Sequence, residues 1–176
     1  MKSYQLKKKG KGFTMIELLI GVAFIAIAGL AVLALYNRMQ SSANADETRK
    51  QILAVQTGIR EQYPNANKTG LNIGTLVTAK KIPEPMVNGA GASNKWGGAV
   101  TVAVASVNGG TNNGYAISFA DVPSGECNSV VTGLLSNFPE IAVGATTVKD
   151  AATTPDSDDI ANACDNDTNL VVVRGT

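Results

Sequence analysis

The chain has 176 residues, 15 basic and 14 acidic, a net charge of +1, and no histidine. The near balance argues against a nucleic-acid-binding surface, and the missing histidine removes the commonest general base and transition-metal ligand. Beyond its N-terminal region the chain has room for one modest globular domain.

Five lysines (Lys2, Lys7, Lys8, Lys9 and Lys11) open the chain with no acid among them. From Phe13 to Leu35 follows an apolar run of 23 residues broken by one charge, Glu17. At about 1.5 Å per residue, a helix of that length covers roughly 34 Å, enough to cross a hydrocarbon core of about 30 Å. The lysines orient its N-terminus towards the cytoplasm. A carboxylate in such a segment costs on the order of 2–3 kcal/mol if it sits unpaired in lipid, so Glu17 calls for a partner. A cleaved secretory signal shares the basic start, although its apolar core normally spans only about 7–15 residues. Ala26, Ala28 and Ala31 keep that reading open. A plain membrane anchor is the other alternative; it leaves Glu17 and the Gly12–Phe13 junction without a purpose.

From Tyr36 the chain turns polar, with an apolar stripe at Ala45, Ile52, Val55, Ile59 and Tyr63 that fits one helix face. Asp46 and Lys50, four apart, are expected to pair on the exposed side. No proline interrupts the run before Pro64. The pattern predicts one continuous helix of about 50 residues, apolar all round in its first half (13–35) and amphipathic in its second (36–63).

Residues 64–98 are rich in Asn, Gly and Pro, with a short helix predicted over Ile73–Lys80. Ala99–Ala105 reads as a strand. The turn-forming stretch Asn108–Gly114 joins it to a second strand, Tyr115–Asp121, in an antiparallel hairpin. Val130, Val131, Leu134, Leu135 and Phe138 predict a short helix just past Cys127, followed by an acidic loop containing Asp150, Asp156, Asp158 and Asp159. Leu170–Val173 closes the chain as a strand of the same sheet. The expected fold class is α+β, a long N-terminal helix packed on an antiparallel sheet.

Cys127 and Cys164 form an even pair in a chain that begins with a membrane-insertion signal, which favours one disulfide over two buried free thiols. No CxxC spacing supports zinc. Asp165-Asn166-Asp167-Thr168-Asn169 matches the opening of a calcium loop, but Leu170 stands where glycine is needed. A solvated loop is the expectation there. Cofactors, metals and catalytic residues are expected to be none, so the chain is not read as an enzyme.

Gly12-Phe13-Thr14-Met15-Ile16-Glu17-Leu18-Leu19-Ile20 behind a short lysine-rich leader resembles the processing and assembly signature of type IV pilins and of type II secretion pseudopilins. The resemblance implies that a prepilin peptidase cuts between Gly12 and Phe13 and methylates Phe13. Glu17 would then pair with the freed Phe13 amine of a neighbouring subunit, where a buried carboxylate needs an ion partner. Residues 1–12 become a cleaved leader, 13–35 the transmembrane and filament-core helix, and 64–176 the pilin head with a disulfide-bounded segment 127–164. Without the five leader lysines, 10 basic residues face 14 acidic ones, a net charge of −4. The implied partners are identical subunits, the peptidase, the inner-membrane assembly machinery and, before assembly, the membrane itself; no nucleic acid is required. The implied locations are the bacterial inner membrane for the precursor and an extracellular filament for the product.

The helix inside the cysteine-bounded segment and Asn94-Lys95-Trp96-Gly97-Gly98-Ala99-Val100 look like type IVb pilins, particularly the thin-pilus subunits of enteric bacteria. The short leader and Phe13 are closer to type IVa. Many type IVa pilins have a kinking proline about twenty residues into the mature helix; here Gly29, Leu33 and Ala34 occupy that region. The alternatives are a major pseudopilin of a type II secretion system and a monomeric membrane-anchored binding protein. Pseudopilins usually carry Asp-Pro-Trp-Gly and a calcium site, where this chain has Asn-Lys-Trp-Gly and cysteines.

Overall fold

The computed structural model describes residues 12–65 and 67–176; the leader lysines, and with them most of the predicted leader 1–12, lie outside the described residues. The chain divides into two units, one ending at Gln40 and a head from Ser41 to Thr176. Helix α1 (Met15–Gln62, 48 residues) runs as a single element, as the absence of proline predicted. Up to Gln40 every described residue is exposed, among them Phe24, Ile25, Leu30 and Leu33. An apolar helix surface this long and continuous is unstable in water and requires lipid or other protein around it.

In the head, α1 buries Ala45, Ile52, Val55 and Ile59 of the predicted stripe, with Thr48, Gln56 and Gly58 added, whereas Tyr63 lies just past its end and is half-buried. Thr48 is tolerated there because its hydroxyl donates to the Asn44 carbonyl one turn back at 2.9 Å. The expected Asp46–Lys50 pair does not form. Asp46 pairs instead with Arg49, whose guanidinium lies over Gly133 of a second helix, while Lys50 stays exposed. A side chain at position 133 would exclude the Arg49 stem, so packing decides this pairing over helix spacing.

Among the described residues seven strands form one antiparallel sheet: β1 (Val87–Asn88), β2 (Gly91–Ser93), β3 (Ala99–Ala105), β4 (Gly114–Pro123), β5 (Glu140–Val143), β6 (Thr146–Lys149) and β7 (Thr168–Gly175). Their order is β1-β2-β3-β4-β7-β5-β6, which places the last strand of the chain between β4 and β5. The predicted hairpin is β3–β4, with Val102 opposite Ile117. Ile117 in turn faces Val173 of β7, and Ile141 of β5 faces Val173 from the other side. Val100, Ile117, Phe119, Val171 and Val173 alternate inward and share one core with the α1 stripe, Leu76 and Phe138. Each such side chain contributes roughly 1.5–3 kcal/mol when fully buried. A buried polar link also joins helix to sheet: Gln56 Nε2 of α1 donates to the Tyr115 hydroxyl of β4 at 2.7 Å.

Among the described residues three short α-helices, α2 (Ile73–Thr78), α3 (Ser124–Leu134) and α4 (Ser157–Ala163), and a 3-10 turn at Glu84–Met86 complete the head. α2 starts where predicted and ends two residues earlier, capped at its start by Asn72, whose side chain accepts from the Thr75 amide. α3 begins before Cys127 rather than after it, because Pro123 ends β4 and the next residue can turn directly into helix. α4 replaces part of the expected acidic loop. Its N-cap, Asp156, accepts from the amides of Asp158 and Asp159, and those two acids sit in the first turn where the helix dipole favours them.

Candidate functional site

The predicted assembly residues gather at the start of α1. Gly12, Phe13, Thr14 and Glu17 line one shallow concavity, Phe13 is 83% exposed and Glu17 is exposed. Thr14 caps the helix: its Oγ1 accepts from the Glu17 amide at 3.3 Å, and its carbonyl accepts from the Leu18 amide at 3.2 Å. The Thr14-x-x-Glu17 spacing is a capping-box signal that the sequence reading passed over. Its consequence is positional. The cap fixes the first turn, so Glu17 is carried on formed helix one turn from the Gly12–Phe13 junction. A carboxylate there also favours the positive end of the helix dipole.

The second predicted pair is joined. Cys127, inside α3, is bridged to Cys164, the C-cap of α4, across a sequence separation of 37 and a Cα–Cα distance of 5.7 Å. Both residues are buried. On the chain-entropy model, closing a loop of that length stabilises by about 3–4 kcal/mol.

The calcium-like fragment is used otherwise. Asp165 and Asp167 are exposed, whereas Asn169 is buried in β7 and turns its amide nitrogen to main-chain carbonyls. Among the described residues no group of three or more His, Cys, Asp or Glu side chains is placed to hold a metal ion.

The stretch Asn94–Gly98, which carries part of the type IVb likeness, also positions the sheet. Asn94, in the Trp96 turn, is buried: its Oδ1 accepts from the Trp96 and Gly98 amides at 3.0 and 2.9 Å, and its Nδ2 donates to the Ala120 carbonyl. Ala120 and Asp121 form the irregular step of β4, between Phe119 and Val122. Gly98 sits so close that a Cβ would stand 2.1 Å from the Ala120 carbonyl oxygen. The Asn-Lys-Trp-Gly-Gly stretch is thus a lock between the β2–β3 turn and the β4 bulge. Lys95, next along, reaches α1 instead, with Nζ 2.8 Å from Glu47 and 2.6 Å from the Asn44 side chain.

Two lysines close helix ends. Lys68 Nζ donates to the Tyr63 and Asn65 carbonyls just past α1 at 2.7 and 2.6 Å, and Lys149 Nζ does the same for Leu135 and Phe138 after α3. Burial, with the Arg60 guanidinium as a second cause, holds the Lys68 ammonium below its ordinary range. Asp150 is lowered by the backbone amides of Ala152 and Thr153, which donate to its Oδ1. In the turn-forming stretch 108–114, Asn108, Gly109, Thr111 and Asn112 are exposed, and in the acidic stretch 150–159, Ala151–Thr154 and Asp156–Asp159 are exposed.

Comparison with known structures gives the class first. TcpA, a type IV pilin from Vibrio cholerae El Tor biotype, superposes with a TM-score of 0.58 at 15% identity, covering 78% of this chain and 99% of that one. A type IVb pilin from Salmonella typhi gives 0.55 at 24% identity, covering 72% and 94%. The fold is that of a type IV pilin. The PilS N terminal family profile matches residues 42–175, and the chain belongs to that family: it is a pilin subunit. No sequence relative is found among curated proteins.

Proposed function

We propose that the chain is the structural subunit of a type IVb pilus, made as a membrane-inserted precursor and polymerised into an extracellular filament. The observation that carries the proposal is the fully exposed apolar half of α1, with its single carboxylate one turn inside a capped helix start. In the precursor, residues 13–35 span the inner membrane with the lysine-rich leader on the cytoplasmic side. Prepilin peptidase removes residues 1–12 and methylates the Phe13 amine. The inner-membrane assembly machinery then draws the helix from lipid into a bundle of identical helices. Lipid and bundle are similarly apolar, so the transfer itself costs little. The Glu17 carboxylate meeting the Phe13 amine of a neighbouring subunit decides docking and register, because each charge would otherwise be buried alone. The filament serves adhesion, aggregation, conjugation or motility, with loop 108–114 and the stretch 150–159, which runs into the start of α4, on its outer face.

The pseudopilin alternative has less support, since the family match and both structural likenesses are to pilins. A monomeric membrane-anchored binding protein has no use for Glu17. Glu17→Ala tests the proposal: the protein should remain stable and membrane-inserted, since losing a membrane-located carboxylate does not hinder insertion. Electron microscopy should show filaments abolished or strongly reduced. Abundant wild-type-like filaments from the mutant would sink the ion-pair mechanism.

A further inference from the structure

We propose that Asn169 is a second, non-covalent clasp on the disulfide-bounded segment, and that it holds residues 124–166 in place when the Cys127–Cys164 bridge is open. The inference stands apart from the pilus proposal, because it concerns only how the head keeps its shape.

Asn169 lies on β7 opposite Val122 of β4 and is 4% exposed. Its Nδ2 donates to the Asn166 carbonyl at 2.8 Å, with the carbonyls of Val122 and Cys164 both at 3.4 Å. The two amide protons are therefore shared among three acceptors, one short bond and one divided. Those acceptors belong to two places. Val122 precedes α3, the helix that carries Cys127; Cys164 and Asn166 end α4, the helix that carries the other cysteine. A helix leaves its last carbonyls without partners, and here an amide from the following strand supplies one. Covalent and non-covalent links thus cross the same gap side by side, one through Cys127 and one through Val122.

The orientation of the amide is dictated by its neighbours. Reversing it would set Oδ1 against three carbonyl oxygens. The cost of the observed orientation is visible on the other side, where Oδ1 is buried without a hydrogen-bond partner among the described residues. A group that leaves one acceptor unsatisfied persists where its donor side contributes more. Packing reinforces the clasp: Val130, Val131 and Ile160 are buried in the common core, and β5, inside the segment, pairs with β7. The segment is closed at both ends without the bridge, and the thiols stay within reach of each other.

The test uses the full-length chain in detergent micelles, with the Cys127→Ser/Cys164→Ser pair, Asn169→Ala, and the combination of all three. The cysteine pair variant should unfold cooperatively with Tm lowered by about 10 °C. Asn169→Ala with the bridge intact should lose less. The triple variant should be cut between residues 150 and 167 by a dilute protease at least tenfold faster than either parent. A triple variant no more sensitive than the cysteine pair variant would overturn the proposal. A second measurement needs no substitution: after reduction with dithiothreitol, the side-chain amide protons of Asn169 should remain slow to exchange by NMR. Exchange at the solvent rate on reduction would show that the bridge alone holds the segment.

Discussion

The two halves of α1 are one helix built on opposite principles. From Met15 to Leu35 its side chains are apolar on every face apart from Glu17, and up to Gln40 none is buried within the subunit. From Ser41 to Gln62 the chain is mostly polar, yet Ala45, Ile52, Val55 and Ile59 are each no more than 1% exposed. The second half is stabilised by what its own chain folds onto it. The first half buries none of its described side chains within the subunit, and lipid or other protein must cover it. Burial within a subunit sets the stability of the head, whereas exposure outside it sets what the subunit must join.

The sharpest way to break that comparison is to place one charge in each half. Val55→Asp should abolish folding of the head, since an unpaired carboxylate in the core costs well over about 5 kcal/mol. Val22→Asp, near the middle of the 13–35 span, should leave the head folded and instead oppose membrane insertion by about 2.5–3.5 kcal/mol. Circular dichroism and protease resistance report the first effect, and membrane fractionation the second. Equal damage to the head from both would contradict the division.

Truncation gives a smaller, cleaner contrast. Ile59→Ala should destabilise the head by about 2–5 kcal/mol in denaturant unfolding. Ile25→Ala should change head stability by less than about 0.5 kcal/mol, because Ile25 is 74% exposed.

The smallest contrast uses one substitution with opposite signs. A Cβ at Gly58 would stand 2.3 Å from the Lys81 carbonyl oxygen, so Gly58→Ala should destabilise by about 1–3 kcal/mol. Gly29 has nothing within 4 Å, so Gly29→Ala in the isolated subunit should raise helix stability by roughly 0.5–1 kcal/mol. Thermal unfolding in micelles checks the first, and helicity by circular dichroism the second.

Long periodic elements were legible in the sequence. α1, β3 and β4 repeat their apolar pattern often enough to define themselves, and β7 shows its Leu170–Val173 run. The strands β1, β2, β5 and β6 are two to four residues long and present no period to read. They exist because neighbouring strands supply their hydrogen bonds. α4 was hidden by its own signal: Asp156, Asp158 and Asp159 looked like a solvated loop, while acids at those positions begin a helix. Only Ile160 and Ala163 are buried on it, too few for a stripe. Within the candidate site, the disulfide was readable from the even cysteine count and the membrane-insertion signal, while Glu17 stood out by its charge in an apolar run and Phe13 only through the family resemblance, and the roles of both are proposals. The roles of Asn94 and Asn169 were not readable, because their partners are main-chain carbonyls and amides that come together only after the chain folds.

We propose that the exposed half of α1 is cut free of its leader and handed to other copies of the same subunit. Mass spectrometry of subunits sheared from the cell surface tests it most directly. The expected result is a mature chain that begins with N-methylated Phe13 and lacks residues 1–12. A mature terminus between Ala28 and Ala34 would mean ordinary signal cleavage, with the apolar half discarded instead of assembled, and would contradict the account.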